Sequence, residues 1–261
     1  MIDPSTLAEL AECSAEILAS DSASPLLLLC EHAGAEIPAP WENLGLDPAY
    51  LSTHYAHDLG AGQVTRRLSG SLNTAAVLAR YSRMFLDYNR FPDDWDYIRP
   101  DLGGIPVPHN LVIDADERAR REAIAVAPIH DAIETLRAGR NAVISIHSFT
   151  PVMAGDTRRV DVAILWDEDC AFVRVALEEL KARADGFGLR AGDNVPYDLR
   201  KFRARSLKTH AADHALPYFY IELNNGLFSN PETSSRVMKL LDETLSAVLR
   251  RKAEWTSASS P

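Results

Sequence analysis

Two histidines in this sequence each follow a short apolar run, and together they are candidates for a shared metal site. His32 follows the run in LLLLCEHAG, residues 26–34, and His147 ends the run in AVISIHSFTP, residues 142–151. Short apolar runs are typical of buried strands, and α/β folds place their ligands where such strands end. A catalytic zinc ion generally has three His, Asp or Glu ligands and one open position. The pattern indicates a zinc site at His32 and His147, with Asp58 or a neighbouring acid as the third ligand. Two buried structural histidines fit the same pattern, so both interpretations stay open at this point.

A carboxylate stands at the end of a third apolar run. Glu222 follows YFYI in the segment YFYIELNNG. A glutamate facing a metal site can act as a general base and then pass its proton to the leaving amine. A surface glutamate that begins a loop fits the same pattern, so both interpretations stay open at this point.

An arginine-rich stretch offers groups that recognise a carboxylate. Arg83, Asn89 and Arg90 punctuate the segment RYSRMFLDYNR. A guanidinium presents a planar fork that matches the two oxygens of a carboxylate. The alternative is an ordinary ion pair of an arginine with Asp87 or Asp93.

Several motifs of other enzyme classes are absent from the sequence. It contains no GxxxxGK[ST] loop, no GxGxxG after a strand, no GxSxG elbow and no HExxH helix. Nucleotide binding and a serine-hydrolase mechanism therefore lose their usual support.

Apolar runs alternate with helical patterns along the chain, which predicts an α/β fold with a mainly parallel sheet and helices on both faces. Asp114 is expected to cap a charged helix that Pro128 kinks or divides. Residues 91–113 lack periodicity and predict a long loop that builds a binding surface. The predicted strands are 26–30, 74–79, 142–146, 160–166 and 217–223, and the predicted helices are 5–20, 53–68, 114–139, 169–184 and 232–252.

Composition and charge narrow the class of protein. The chain has 261 residues, of which 46% are hydrophobic and 25% charged, so it is not expected to be mostly disordered. A net charge of -10 argues against nucleic acid or an anionic membrane as the main partner. Three scattered cysteines do not form a disulfide framework, and the first residues show no signal-peptide pattern. A cytoplasmic location is expected.

Six segments, in order between Cys30 and Gly226, resemble the N-formylglutamate amidohydrolase family. The resemblance implies a three-layer α/β/α sandwich around a central mixed, mainly parallel sheet, as in zinc carboxypeptidases and aspartoacylases. It also implies a single domain over residues 1–261, with residues 1–24 as a leading helix and linker. The six segments are CEHAGAEIP, HDLGAG, YSRMFLDYNR, SIHSFTP, GDNVPYDL and YIELNNG.

The same resemblance implies the metal ligands and the base. One zinc ion is expected at His32 and His147, with Asp58 of HDLGAG as the preferred carboxylate ligand and Glu36 as the alternative. Glu222 takes the position of the carboxypeptidase general base.

The resemblance also implies how the substrate is held. Asn89 and Arg90 look like the pair with which carboxypeptidases hold a terminal carboxylate, and Arg83 looks like the arginine that polarises the scissile carbonyl. Tyr197, in GDNVPYDL, is expected to contact substrate. Family enzymes often carry Arg and Asp after the catalytic glutamate, whereas this chain has Asn224 and Asn225 after Leu223. That departure can shift substrate preference away from formylglutamate.

The function implied is zinc-dependent hydrolysis of a linear amide, with N-formyl-L-glutamate or a related N-acyl amino acid as substrate and formate and glutamate as products. The alternatives are a carboxypeptidase or deacylase acting on another amide, or a carboxylate-binding protein without turnover. The expected partner is a small acidic N-acyl amino acid, without nucleic acid or membrane, and a homo-oligomer is compatible with the sequence.

Overall fold

A seven-stranded mixed sheet runs through the protein in the computed structural model, which describes residues 3–18, 23–153 and 155–256. Its order is β1-β3-β2-β4-β9-β7-β8, while β5 and β6 form a separate hairpin. The four strands β3, β2, β4 and β9 are mutually parallel. In chain order the strands are β1 (Ala15–Leu18), β2 (Leu26–Cys30), β3 (Ala75–Ala79), β4 (Ala142–Phe149), β5 (Val152–Met153), β6 (Asp156–Thr157), β7 (Val162–Leu165), β8 (Ala191–Asp193) and β9 (Tyr218–Asn224).

Helices cover both faces of the sheet and confirm the predicted three-layer α/β/α arrangement. One face packs against α2, α5 and α7, and the other packs against α4 and α6. Successive residues of a strand point to opposite faces, so each central strand contributes to both cores. The helices are α1 (Pro4–Glu12), α2 (Ala61–Ser71), α3 (Ala115–Ala125), α4 (Ala127–Arg137), α5 (Ala171–Ala184), α6 (Arg205–His210), α7 (Pro231–Arg250) and α8 (Lys252–Thr256).

The predicted helix over residues 5–20 is wrong in its second half. Helix α1 ends at Glu12, and Ala15–Leu18 forms β1, antiparallel to β3 at the edge of the sheet. The backbone groups of this segment gain sheet partners on β3, and that tertiary pairing overrides the local helical spacing. The linker expected before β2 falls partly on residues 19–22, which lie outside the described residues.

The helix predicted over residues 53–68 begins later than expected. Helix α2 starts at Ala61, after Gly60 adopts a left-handed conformation with φ 85° at the N-cap. Residues before it form turns. This late start matters because Asp58 then lies in the turn that leads into the helix.

The predicted boundary at Asp114 and the division at Pro128 are both confirmed. The Asp114 side chain accepts a hydrogen bond from the backbone N–H of Glu117 at 2.7 Å and caps α3. Helix α4 begins at Ala127, one residue before the proline. Residues 91–113 form the predicted long loop, apart from one short 3-10 turn, Pro108–Asn110. Across the described ranges, none of the helices is both long and apolar enough to span a bilayer.

Gly34 allows the loop after β2 to lie against the end of β3. A Cβ atom built at Gly34 would lie 1.9 Å from the backbone oxygen of Arg80. We expect Gly34→Ala to lower the free energy of unfolding by about 1 to 3 kcal/mol, because backbone must move to accommodate the methyl group. Urea denaturation measures this change.

Gly70→Ala is the matched control. Gly70 is exposed near the end of α2, and an added Cβ would meet nothing within 4 Å. Alanine should raise the free energy of unfolding there by up to about 1 kcal/mol, because it is the better helix former. Equal effects of the two substitutions would contradict the close approach at Gly34.

Candidate active site

The parallel strands β2, β4 and β9 are neighbours and carry three of the predicted site residues to one edge of the sheet. His32 lies two residues beyond β2, while His147 and Glu222 lie inside β4 and β9. The register pairs His147 directly with Glu222, so their side chains project from the same face. The predicted strand 142–146 is too short, because β4 continues to Phe149. His147 therefore lies two residues before the end of its strand.

The nitrogen atoms of two imidazoles and one carboxylate oxygen converge at this edge. The Nδ1 atoms of His32 and His147 lie 3.2 Å apart. Asp58 Oδ2 lies 2.9 Å from His147 Nδ1 and 3.5 Å from His32 Nδ1. Three ligands of a tetrahedral zinc ion, bound at about 2.0–2.1 Å, are separated by about 3.3 Å. The spacing of these buried donors fits a metal ion of that size.

The outer nitrogen of each imidazole is held by a carboxylate. His32 Nε2 donates to Asp87 Oδ1 at 2.7 Å, and His147 Nε2 donates to Glu31 Oε2 at 3.0 Å. The Ser145 hydroxyl also donates to Glu31 Oε2, at 2.5 Å. Proteins that bind metal through histidine commonly fix the ring in this way, because a proton on Nε2 leaves the Nδ1 lone pair for the ion.

Sequence reasoning did not find the role of Asp87. It entered only as a candidate ion-pair partner for arginine, whereas it orients His32. Glu31, next to His32 in the chain, orients the other histidine instead of its neighbour. The sequence does place Glu31 in CEHAGAEIP and Asp87 in YSRMFLDYNR. Sequence spacing, however, does not reveal which histidine each carboxylate contacts.

The pKa values of His147 and Asp58 are shifted in opposite directions by their mutual contact. Burial alone lowers the pKa of His147, but hydrogen bonds to Asp58 and Glu31 outweigh it and raise the pKa to about 10. Burial alone would raise the pKa of Asp58, but the neighbouring histidines hold it well below its ordinary value. The carboxylates next to His147 therefore favour a positive charge at this imidazole.

The choice between the two candidate carboxylates is visible in the geometry. Asp58 is buried, and its backbone N–H donates to the carbonyl of His32 at 2.9 Å, which ties the turn before α2 to the loop after β2. Glu36 is exposed and forms an ion pair with Arg80 at 3.0 Å. Asp58 lies with the histidines, and Glu36 does not.

A cavity of about 600 Å³ adjoins the cluster. All the site residues predicted from the sequence line it, although they come from distant parts of the chain. They are His32, Asp58, Arg83, Asn89, Arg90, His147, Tyr197 and Glu222.

Glu222 is a buried carboxylate with one unpaired oxygen in this cavity wall. Only 9% of its surface is exposed, and its Oε2 has no hydrogen-bond partner among the described residues. Burial raises its pKa to about 8, while the charge of His147 opposes the shift. Its interpretation as a surface residue beginning a loop is wrong, because Glu222 lies within the buried strand β9.

Arg83 bridges two of the acidic groups. Its Nη2 lies 2.9 Å from Asp87 Oδ2, and its Nη1 lies 3.2 Å from Asp58 Oδ1. The ion pair with Asp87 that the sequence left open is therefore present. Arg83 still lines the cavity, so its remaining N–H groups can face a ligand.

The three other predicted residues are each held by protein contacts on one side. Asn89 Oδ1 accepts hydrogen bonds from the backbone N–H of Ser206 and from the Tyr220 hydroxyl, which leaves its amide nitrogen as the donor it can offer. Arg90 Nε donates to Asp96 at 2.8 Å. The Tyr197 hydroxyl accepts from Arg158 Nη1 at 2.7 Å, a contact that the sequence did not predict.

Comparison with known proteins identifies a family and a set of similar structures. The family model for N-formylglutamate amidohydrolase matches residues 24–229. A gene product of Agrobacterium tumefaciens is 31% identical, with a TM-score of 0.81 over 92% of this chain and 96% of its own. An N-formylglutamate amidohydrolase from Ralstonia eutropha JMP134 is 15% identical, with a TM-score of 0.69 over 92% of this chain and 98% of its own. The second likeness extends to the fold alone. No curated protein matches the sequence.

Zinc affinity distinguishes Asp58 from Glu36. Removing a residue that only orients a metal ligand lowers metal affinity by about 10- to 100-fold. We expect Asp58→Ala to lower zinc affinity by more than this, because it removes one of the three donor atoms. Competition with a chromophoric chelator measures the affinity of the purified protein.

Glu36→Ala is the control for this loss of affinity. It also removes a carboxylate, but from an exposed ion pair, so zinc affinity should remain at the wild-type value. Circular dichroism spectra confirm that both variants are folded. A larger loss of zinc affinity in Glu36→Ala than in Asp58→Ala would overturn this assignment.

Proposed function

The chain belongs to the N-formylglutamate amidohydrolase family, and we propose that it is a zinc-dependent hydrolase of a linear amide. Its substrate is N-formyl-L-glutamate or a related N-acyl amino acid, and water cleaves the amide to a free carboxylic acid and an amino acid. The observation that carries the proposal is the convergence of three metal-donor atoms beside an unpaired buried carboxylate. Family membership supports amide hydrolysis, and the zinc and the substrate are our proposal.

His32, Asp58 and His147 would hold the ion. Their donor set of two imidazoles and one carboxylate is a common one for catalytic zinc, and it leaves a fourth position open. A bound zinc ion supplies a Lewis acid that polarises a carbonyl and lowers the pKa of water to about 7. The carboxylates of Glu31 and Asp87 keep the two rings oriented throughout.

Glu222 is the proposed general base. Glu222 lines the cavity, and the carboxylate has no protein hydrogen bond to break at its unpaired Oε2, so the group can accept a proton from the attacking water. The same carboxyl group can then donate that proton to the nitrogen of the leaving amine. The raised pKa suits both steps, because a carboxyl group that titrates near neutral pH both accepts and releases a proton readily.

Arg83 is proposed to stabilise the negative charge that develops on the carbonyl oxygen. Its guanidinium is fixed by Asp58 and Asp87 before substrate binds, so no reorganisation is needed during the reaction. An arginine anchored in this way provides directed N–H groups at low entropic cost.

The carboxylate of the substrate is proposed to bind at Asn89 and Arg90, with Tyr197 alongside. Arg90 uses Nε for Asp96, which leaves its terminal nitrogens for a bidentate contact. The Tyr197 hydroxyl accepts from Arg158, so its own proton is available to a substrate oxygen.

Glu222→Gln tests the proposed base. We expect kcat to fall about 100- to 10,000-fold, because glutamine keeps the shape but cannot accept the proton. Zinc content should stay at the wild-type level, as measured by metal analysis of the same samples. In the wild-type enzyme, kcat/KM should rise with pH and then level off, because Glu222 must lose its proton to act. The midpoint of this rise should lie above the ordinary carboxyl value of 4.5, because burial raises the pKa of Glu222. A Glu222→Gln protein with unchanged turnover would exclude this role.

A substrate panel with metal removal tests the activity itself. Zinc-loaded protein should release formate from N-formyl-L-glutamate, and a chelator should abolish that release until zinc is restored. N-acetyl-L-glutamate and a dipeptide with a free carboxyl terminus represent the deacylase and carboxypeptidase alternatives. Binding of these compounds without cleavage of any would identify a carboxylate-binding protein instead, and hydrolysis that survives complete metal removal would refute the metal-dependent reaction.

A further inference from the structure

The cavity is larger than the smallest substrate of the proposed reaction requires. Its volume is about 600 Å³. Pockets of about 300–1,000 Å³ hold drug-sized ligands. N-formylglutamate is much smaller than such ligands, so it leaves part of the cavity empty.

Two exposed aromatic side chains lie in the wall of this cavity. Trp95 is 64% exposed and Phe202 is 59% exposed. In the parts of the chain that the structure describes, they are the two aromatic members of the set of exposed large apolar side chains, and both line the cavity. Apolar surface left in contact with water at a binding cavity marks a place where a ligand covers it.

The loops that carry these aromatic residues are tied together. Arg203, next to Phe202, forms ion pairs with Asp93 at 3.1 Å and Asp94 at 3.3 Å, which precede Trp95. The Arg203 guanidinium also lies 4.4 Å from the centre of the Phe91 ring. The two loops are therefore connected next to the aromatic residues, and Asp94 and Arg203 themselves line the cavity.

Each aromatic ring also has a fixed neighbour. The Arg99 guanidinium lies 5.5 Å from the centre of the Trp95 ring, and the Phe202 ring meets that of Tyr197 edge to face at 6.0 Å. Leu165 and Leu199 add further apolar lining. These contacts restrict the two rings, which lowers the entropic cost of ordering them against a ligand.

We propose that the substrate is an N-acyl amino acid larger than N-formylglutamate, with an apolar group that packs against Trp95 and Phe202. This inference rests on the proposed function, because it places the amide at the metal cluster and the apolar group at the aromatic residues. The apolar group is an aromatic or aliphatic chain of several carbons, carried on the acyl side or on the amino acid.

Binding affinity tests the inference separately from turnover. Zinc-loaded Glu222→Gln protein is titrated with N-formyl-L-glutamate, N-octanoyl-L-glutamate and N-formyl-L-phenylalanine in a calorimeter. We expect at least one of the two apolar ligands to bind about tenfold or more tightly than N-formyl-L-glutamate, because it buries apolar surface. Equal or weaker binding of both would overturn the inference.

Substitutions locate the preference. Trp95→Ser and Phe202→Ser should each reduce the ratio of affinities, apolar ligand over N-formyl-L-glutamate, by several fold. Leu111→Ser is the matched control, since Leu111 is also exposed and apolar but does not line the cavity, and it should leave that ratio unchanged. A preference that survives both aromatic substitutions would contradict the assignment of these residues.

Tryptophan fluorescence provides a second measurement on the unsubstituted aromatic residues. Trp95 is exposed, whereas Trp41 and Trp255 are buried and Trp166 is half-buried. The apolar ligand should therefore protect the protein from quenching by acrylamide, and N-formyl-L-glutamate should protect it less. Tighter binding of the apolar ligand by a protein that cleaves no amide would refute the proposed function but support the proposed contacts with Trp95 and Phe202. Cleavage of an amide without preference for the apolar ligand would support the proposed function and refute those contacts.

Discussion

Buried negative charge is the constraint on which the site depends. The carboxylates of Glu31, Asp58 and Asp87 are all nearly inaccessible to solvent, and each lies within hydrogen-bond distance of an imidazole. Asp58 and Asp87 also accept hydrogen bonds from the Arg83 guanidinium. Unpaired charge in a protein interior is costly, so each of these groups requires a partner. Arg83 compensates part of the charge, and a divalent ion between the Nδ1 atoms would compensate more of it. The same groups that stabilise the cluster therefore also prepare it for metal.

The sheet explains how residues so distant in sequence reach this cluster. Parallel neighbouring strands bring their carboxyl ends to one edge, and the β4–β9 register places His147 beside Glu222. The turn before α2 then adds Asp58 from the other side of His32 through a backbone hydrogen bond. The loop after β2, which carries His32, lies close against the end of β3 because Gly34 has no side chain. The geometry of the site therefore depends directly on how the strands and loops of the fold pack together.

The cavity wall has a different origin from the metal cluster. Its polar side comes from the segment that follows β3, whereas its aromatic side comes from the long loop after residue 91 and the segment before α6. Ion pairs between these segments hold the aromatic side in place. The proposed metal ligands come mainly from strand ends and the proposed ligand contacts from surface loops, so the two can vary separately.

The sequence by itself determined the fold class and the pairing of His32 with His147, because apolar runs specify buried strands and strand ends meet at one edge. It also determined the family, through the resemblance of six segments in order along the chain. It did not decide between Asp58 and Glu36, or reveal that Glu31 orients His147 while Asp87 orients His32. Nor did local spacing distinguish β1 from a continuation of α1, since the strand exists only through its pairing with β3. Each of these outcomes depends on contacts between residues far apart in the chain. Only the tertiary structure decides such contacts, because the order of segments in the sequence does not specify how far apart they lie in space.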